Sequence, residues 1–305
     1  MSEQTPAEIF DQHRSYLTGI AYRMLGSVAD AEDVVQETFI RWQAMDNREI
    51  RSPKAWLTTA ATRLAIDHLR SARVRREKYV GAWLPEPLLT GSSTDQMVQP
   101  FAPPDRGPEL LDSLSTAMLM LLEQLSPAER AAFLLHDVFD YEYDQIAPIL
   151  ERKESACRQL VSRARARVKE KRPRFEVNHD ARDRVLAKFG EAVSTGSVDG
   201  LMALMNDDVI LLSDGGGKVH SALNPIFGSN KVARFFVGVS TKQPAGAYFQ
   251  MREVNGTAGV IGYVGDQAYS VMTFDIDGDR IGSIHIVNNP DKLMHVGPPD
   301  PSQSH

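Results

Sequence analysis

The stretch YEYDQIAPILERKESACRQLVSRARARVKEKR, residues 141–172, decides the reading of the chain. Its apolar residues recur at helical spacing in two blocks separated by a short polar turn, Glu151-Arg152-Lys153. The first block, Tyr143 to Leu150, packs through Ile146, Ala147 and Leu150. The second buries Ala156, Leu160, Ala164 and Val168 at i, i+4 spacing, with Cys157 and Val161 beside them as core. Arg158, Ser162, Arg165 and Lys169 fall on the opposite side, a row of long cations and hydroxyls able to enter a major groove. Arg158 and Gln159, near the helix N-terminus, are placed for base edges. Arg163, Arg165 and Arg167 suit phosphates, which position a protein without specifying sequence. The pattern predicts a DNA-reading helix-turn-helix.

Charge supports it. The chain carries a net −6, yet residues 151–174 hold ten Lys or Arg against three Glu. Residues 63–78 hold six basic against two acidic residues, so an otherwise acidic protein concentrates its positive charge in two blocks. That is the footprint of two localised contacts with a polyanion. A single cysteine, Cys157, excludes an intrachain disulfide framework and a multi-cysteine zinc site. The N-terminus lacks a signal-like apolar core and no apolar run approaches membrane-spanning length, which predicts a cytoplasmic protein; separately, no metal and no cofactor are expected.

At 305 residues the chain is long enough for several domains. Helical patterns run from about Pro6 to Lys78, within a first domain over residues 1–80. Around Asp30–Trp42, Ala31, Val34, Val35, Thr38, Phe39 and Trp42 form an apolar side, and Asp30, Glu32, Asp33 and Glu37 an acidic one. Ser52 and Pro53 mark the start of the next helix, which runs into Arg70, Arg73, Arg75 and Arg76. Residues 81–110 carry six of the 17 prolines and a GSST run, and read as an extended linker. Helices resume over 111–174. After Arg174 two helices (His179–Ser194, Val198–Met205) precede alternating strands at Val209–Ser213, Tyr248–Val254, Thr257–Val264, Gln267–Asp275 and Arg280–Asn288, an α+β domain over 175–295 followed by a tail, 296–305.

The runs RMLGSVADAEDVVQETFIRW (23–42) and PKAWLTTAATRLAIDHLRSARVRR (53–76) resemble region 2 of extracytoplasmic-function RNA polymerase sigma factors. The run LEQLSPAERAAFLLHDVFDYEYDQIAPIL (122–150) and the basic helix after it resemble region 4. This resemblance implies two all-α sigma domains. It further implies that Asp33, Gln36 and Glu37 dock on core RNA polymerase (β′ and β subunits being the partners). Arg48, Arg51, Lys54 and Trp56 would handle the melted −10 strand, with Trp56 reading equally well as a core residue. Thr62, Arg63, Asp67, Arg70 and Arg73 would lie along −10 DNA, and the helix from Glu154 would read the −35 element. The free protein is expected to be a monomer.

The C-terminal segment resembles the SnoaL-like branch of the NTF2-like cones. With WLPEP (83–87), DGGGK (Asp214, Gly215, Gly216, Gly217, Lys218) and NPDKL (Asn289, Pro290, Asp291, Lys292, Leu293) it is similar to the sigma subgroup that carries such a domain fused, the mycobacterial sigma factor J type. The resemblance implies that these motifs regulate the sigma regions, NPDKL acting as a strap docked on them, with an unidentified small ligand left open. A non-enzymatic protein is expected. Two other readings stay open: a ligand-responsive helix-turn-helix regulator working without polymerase, and an isomerase or cyclase with a DNA-binding appendage, for which Asp214, His220, Tyr263 and His285 are the candidate groups. DGGGK lacks the Walker spacing, so nucleotide binding is not supported.

Overall fold

The computed structural model describes residues 5–45, 50–76, 79–90, 114–171 and 179–300, with side chains over 5–45, 50–71, 79–90, 114–169 and 182–300. The chain divides into two compact units. One gathers residues 1–78 and 92–172, the other residues 79–91 and 173–305.

Among its described residues the first unit has helices and no strand. Helix α1 (Pro6–Leu25) opens with a capping box between Thr5 and Glu8 and ends at Gly26, whose φ of 66° is the left-handed stop that glycine adopts without penalty. Ser27 caps α2 (Val28–Gln43), and the buried Trp42 indole donates to the Pro6 carbonyl at 2.7 Å, tying the end of α2 to the start of α1. Helix α3 (Pro53–Arg76) packs on both. Helices α4 (Thr116–Glu123) and α5 (Pro127–Phe133) follow, the latter started by a Ser126/Glu129 capping box. A turn of π-helix (Leu134–Val138) then leads to α6 (Tyr143–Leu150) and α7 (Glu154–Lys171). Arg130 is fully buried. Its guanidinium donates to the carbonyls of Leu122 and Met24 (2.8 and 2.5 Å) and pairs with Glu123 at 2.7 Å, joining the end of α1 to the α4–α5 corner.

The second unit is a six-stranded sheet in the order β2-β1-β6-β5-β4-β3. Its strands are β1 (Met205–Asp214), β2 (Ile226–Phe227), β3 (Ala247–Val254), β4 (Thr257–Val264), β5 (Gln267–Asp277) and β6 (Arg280–Val287). Only the β1–β6 pair is parallel. Helices α8 (His179–Ser194), α9 (Val198–Ala203) and α10 (Ser229–Ser240) bury one face of the sheet. Phe189 sits edge-on to both Phe236 and Phe274, at 4.9 and 5.3 Å between ring centres. Each such ring contributes roughly 1.5–3 kcal/mol of transfer free energy on burial. The short α11 (Pro290–Leu293) follows β6.

Two features differ from expectation. Helix α10 lies where sequence reading places no element. And the first part of the segment expected as an extended linker between domains is packed into the sheet unit: residues 84–90 are buried, without regular helix. Leu88 and Asn255 exchange hydrogen bonds (2.7 and 3.0 Å), the Thr90 amide donates to the Glu253 carbonyl at 2.9 Å, and Leu89 bridges Val254. The strap thus borrows backbone partners from the β3–β4 turn, which satisfies buried amides that a proline-rich segment has no ladder of its own to satisfy.

Candidate functional site

Helices α6 and α7 form the helix-turn-helix. The turn is set by Glu151, which takes a left-handed φ of 53° and closes α6, with the Arg152 amide bonded to the Ala147 carbonyl at 3.0 Å. Cys157, Leu160, Val161, Ala164 and Val168 are buried as the stripe demands; Ala156 is half-buried. In α6 the core residues are Ile146 and Ile149, with Ala147 and Leu150 packed at their edge. Arg158, Gln159, Ser162, Arg163, Arg165 and Lys169 are all exposed.

Three of the α7 cations have acidic partners on the preceding elements. Arg165 makes a two-pronged bridge to Asp137 in the π-turn, at 2.7 and 2.8 Å. Arg167 and Arg163 converge on Glu129, at 2.6 and 3.4 Å. Burial alone would raise the Glu129 carboxyl, but the Ser126 hydroxyl and amide and the Arg167 guanidinium outweigh it and hold it below its ordinary value. A carboxylate depressed in the folded state adds stability that is full above its unfolded pKa and fades as pH falls through the folded one. The stability advantage of the parent over Glu129→Gln in urea denaturation is therefore expected at neutral pH and to shrink well below pH 4.5, the ordinary value. An advantage that stayed constant with pH would contradict this.

On α3, Thr62 is buried and its hydroxyl oxygen has no partner among the described residues. Arg63 is held at the C-terminal end of α6. It donates to the carbonyls of Ile149 (3.0 Å) and Pro148 (2.7 Å) and pairs with Glu151 at 3.0 Å. A helix C-terminus leaves its last carbonyls unpaired and carries negative dipole charge, so a guanidinium there satisfies both. Tyr141 extends the same contact, donating to Thr58 at 3.0 Å and accepting from Tyr16 at 3.2 Å. Thr62 is thus buried, and Arg63, 43% exposed in its side chain, is engaged by the end of α6. Arg51 is exposed, Lys54 rides over the Tyr16 ring at 4.5 Å, and Trp56 is half-buried against Trp42 at 5.5 Å. Asp67 and Arg70 form an exposed pair at 2.9 Å, of the kind that adds little stability. Arg48 and the Arg73 side chain lie outside the described residues.

On α2, Asp33 and Gln36 are exposed and Glu37 pairs with Arg41 at 2.9 Å. Beside them stands Ile40, half exposed at 50%, which sequence reading passed over; its i+7 spacing from Asp33 is the signal that places it on the same face.

The motifs WLPEP, DGGGK and NPDKL converge at the end of β1. Asp214 is fully buried and accepts from Lys292 Nζ at 2.7 Å, the Tyr79 hydroxyl at 2.6 Å, the Leu84 amide at 2.9 Å and the Gly216 amide at 3.0 Å. Lys292 is buried too, bonded to the Leu84 carbonyl, with its ammonium 4.1 Å from the Trp83 ring centre and 5.1 Å from that of Tyr79. Asn289 donates to the Tyr79 oxygen at 2.8 Å, and Lys218 pairs with Asp291 at 2.5 Å. Gly216 has a φ of 59°, and a Cβ there would stand 2.4 Å from Asn289 Nδ2, so glycine is required twice over. Burial, then the bond to Asp214, raise the Tyr79 phenol well above its ordinary range, keeping it a neutral donor. WLPEP, DGGGK and NPDKL therefore make one latch. NPDKL bonds to residues 79–84 and the end of β1, where docking on the sigma regions was expected.

His220 is exposed, whereas Tyr263 is buried, bonded to the Gly297 carbonyl at 3.3 Å. His285 is buried 3.9 Å from Asp275; burial lowers its pKa, Asp275 opposing, so the ring is neutral. No group of three or more metal-ligating side chains occurs among the described residues, and none of their helices is long and apolar enough to cross a membrane.

Family models described as Sigma-70 region 2 and Sigma-70, region 4 match residues 9–75 and 115–168. The ECF RNA polymerase sigma factor SigJ of Mycobacterium tuberculosis (strain H37Rv) is 37% identical over 93% of this chain and 92% of its own. The probable ECF RNA polymerase sigma factor SigI of Mycobacterium tuberculosis (strain CDC 1551 / Oshkosh) is 32% identical over 96% and 97%. The crystal structure of the Mycobacterium tuberculosis extracytoplasmic function sigma factor SigJ matches 94% of this chain and 97% of that one, with a TM-score of 0.74 at 32% identity. All three similarities run through the sheet unit as well as the helical one.

Proposed function

The chain belongs to the extracytoplasmic-function RNA polymerase sigma factors, and from that premise we propose that its sheet unit controls promoter opening by holding the linker between the two DNA-reading regions. Region 2 and region 4 are joined by residues 79–113. The burial of residues 84–90 behind the Asp214–Lys292 latch is the observation that carries the reading. With residues 79–90 fixed, 23 residues remain to span the two regions, roughly 80 Å of contour against roughly 120 Å for all 35. Undoing the latch lengthens the tether and frees the segment for polymerase.

In this reading α2 meets the β′ subunit through Asp33, Gln36 and Ile40, α3 follows the −10 element and α7 the −35 element. Region 4 must leave α3 before Arg63 and its neighbours face DNA. The sheet unit acts by docking rather than catalysis, since Asp214 is engaged by Lys292, Tyr79 and Leu84.

Combining Tyr79→Phe with Trp83→Leu removes the phenol donor and the ring over Lys292 while leaving the buried ion pair. The expected result, in run-off transcription with core polymerase, is a several-fold change in transcript yield together with faster proteolysis within residues 79–90. Unchanged yield from a strap that has become protease-sensitive would contradict control through the linker.

A further inference from the structure

The cations of α7 are held in two different ways, and the difference assigns a role to a residue outside the helix. Arg163, Arg165 and Arg167 are paired to Glu129 and Asp137. Such a pair engages the in-plane N–H donors of the guanidinium and cancels its charge. Arg158 rests against a ring as well: its guanidinium carbon lies 4.3 Å from the centre of the Tyr143 ring. Its bridge to Glu154, one turn earlier, is long at 3.6 Å and exposed on both sides, unlike the two-pronged pair of Arg165. A guanidinium resting over a ring face leaves most of its five coplanar donors open to a further partner. A two-pronged contact to guanine O6 and N7 needs that presentation.

Tyr143 is itself fixed. It is the first residue of α6, half-buried against both apolar clusters of the helix-turn-helix. Its other neighbour is the His136 ring, 4.2 Å away at 36°, and His136 Nδ1 is bonded to the Tyr141 carbonyl at 2.9 Å. The order of support runs from the π-turn through His136 and Tyr143 to Arg158, with the last member 61% exposed in its side chain and lying in the second turn of α7, where groove-reading helices contact bases.

We propose that Tyr143 is a positioning residue for promoter recognition, setting the plane of Arg158 so that it reads a G·C pair in the −35 element. The inference rests on α7 being the −35 reader. The paired Arg165, in contrast, braces the helix against the π-turn.

The test uses the full chain with core polymerase on a promoter set in which each −35 base pair is replaced in turn, reading binding and run-off transcript. Tyr143→Phe keeps the ring and should keep the parent's preferences. Tyr143→Leu keeps the apolar body and should lower discrimination about three- to thirtyfold, at one or two adjacent −35 pairs only, the scale of a cation–π contact that becomes desolvated. Affinity for a scrambled −35 element and the thermal unfolding of the helical unit should not move. In an Arg158→Ala background, Tyr143→Leu should add nothing further. A loss spread evenly over all −35 positions, or full additivity with Arg158→Ala, would overturn the positioning role and leave Tyr143 as core. If Arg158→Ala itself flattened no preference, the underlying assignment of Arg158 as a base reader would fall with it.

Discussion

Asp214→Ala is expected to destabilise the sheet unit by about 3–5 kcal/mol, because it leaves the Lys292 ammonium buried without its counter-charge. The Leu84 amide and Tyr79 hydroxyl lose their acceptor in the same step. For a unit of this size the melting temperature should fall on the order of 10 °C, and residues 79–90 should become the first site of proteolysis. Replacing both partners, Asp214→Leu with Lys292→Met, should recover only part of the loss: the stranded charge is gone, but the Leu84 and Gly216 amides and the Tyr79 hydroxyl still lack their acceptor. A single-variant cost below about 1 kcal/mol, the range of solvent-screened pairs, would show that the latch is open to water in solution. Cutting the chain after Asn288 removes Lys292 and is expected to carry the same penalty. Tail deletion therefore mixes unfolding with any loss of control, and the Tyr79 and Trp83 variants separate the two.

Arg130→Met should cost the helical unit a similar amount, about 3 kcal/mol or more. The methionine fills the space but leaves the carbonyls of Leu122 and Met24 without donors and Glu123 without its partner. Trp42 and Trp56 both lie in this unit and in contact with one another, so in a Trp83→Phe background their fluorescence in urea reports it directly. The expected result is a lower midpoint with an unchanged slope, and transcription lost at temperatures where the parent is active. An unshifted midpoint would mean that water replaces the guanidinium at no cost.

What sequence discloses here is what is local. Helices α6 and α7 begin and end where periodicity and the turn residues put them, because an i, i+4 stripe and three polar residues are read within a dozen positions. Cys157 reads as core for the same reason. Asp137 is another matter: it stands 28 residues before Arg165, and no spacing rule couples them, so Arg165 reads as a groove or phosphate contact until the fold supplies its carboxylate. The strap is harder still. Proline and serine content announces the absence of helix but says nothing about burial, and the partners of residues 84–90 lie more than 120 positions away. Helix α10, SNKVARFFVGVS, was invisible because β-branched and aromatic residues weaken its local helix signal, and packing of Val232, Ala233 and Phe236 on the sheet overrides it. The motifs DGGGK and NPDKL were legible as candidates, but their meeting with WLPEP around one buried ion pair is a property of the sheet register, through β1 and β6 lying side by side.

Run-off transcription is the most direct measurement of whether this chain is a promoter-reading polymerase subunit. Core RNA polymerase alone, and core polymerase with the full-length protein, are compared on DNA enriched by binding to the reconstituted complex. A discrete transcript that requires the added protein, and that disappears when the −10 or the −35 element is scrambled, is the predicted result. Tight DNA binding by the protein with no transcript from core polymerase on any enriched sequence would contradict it.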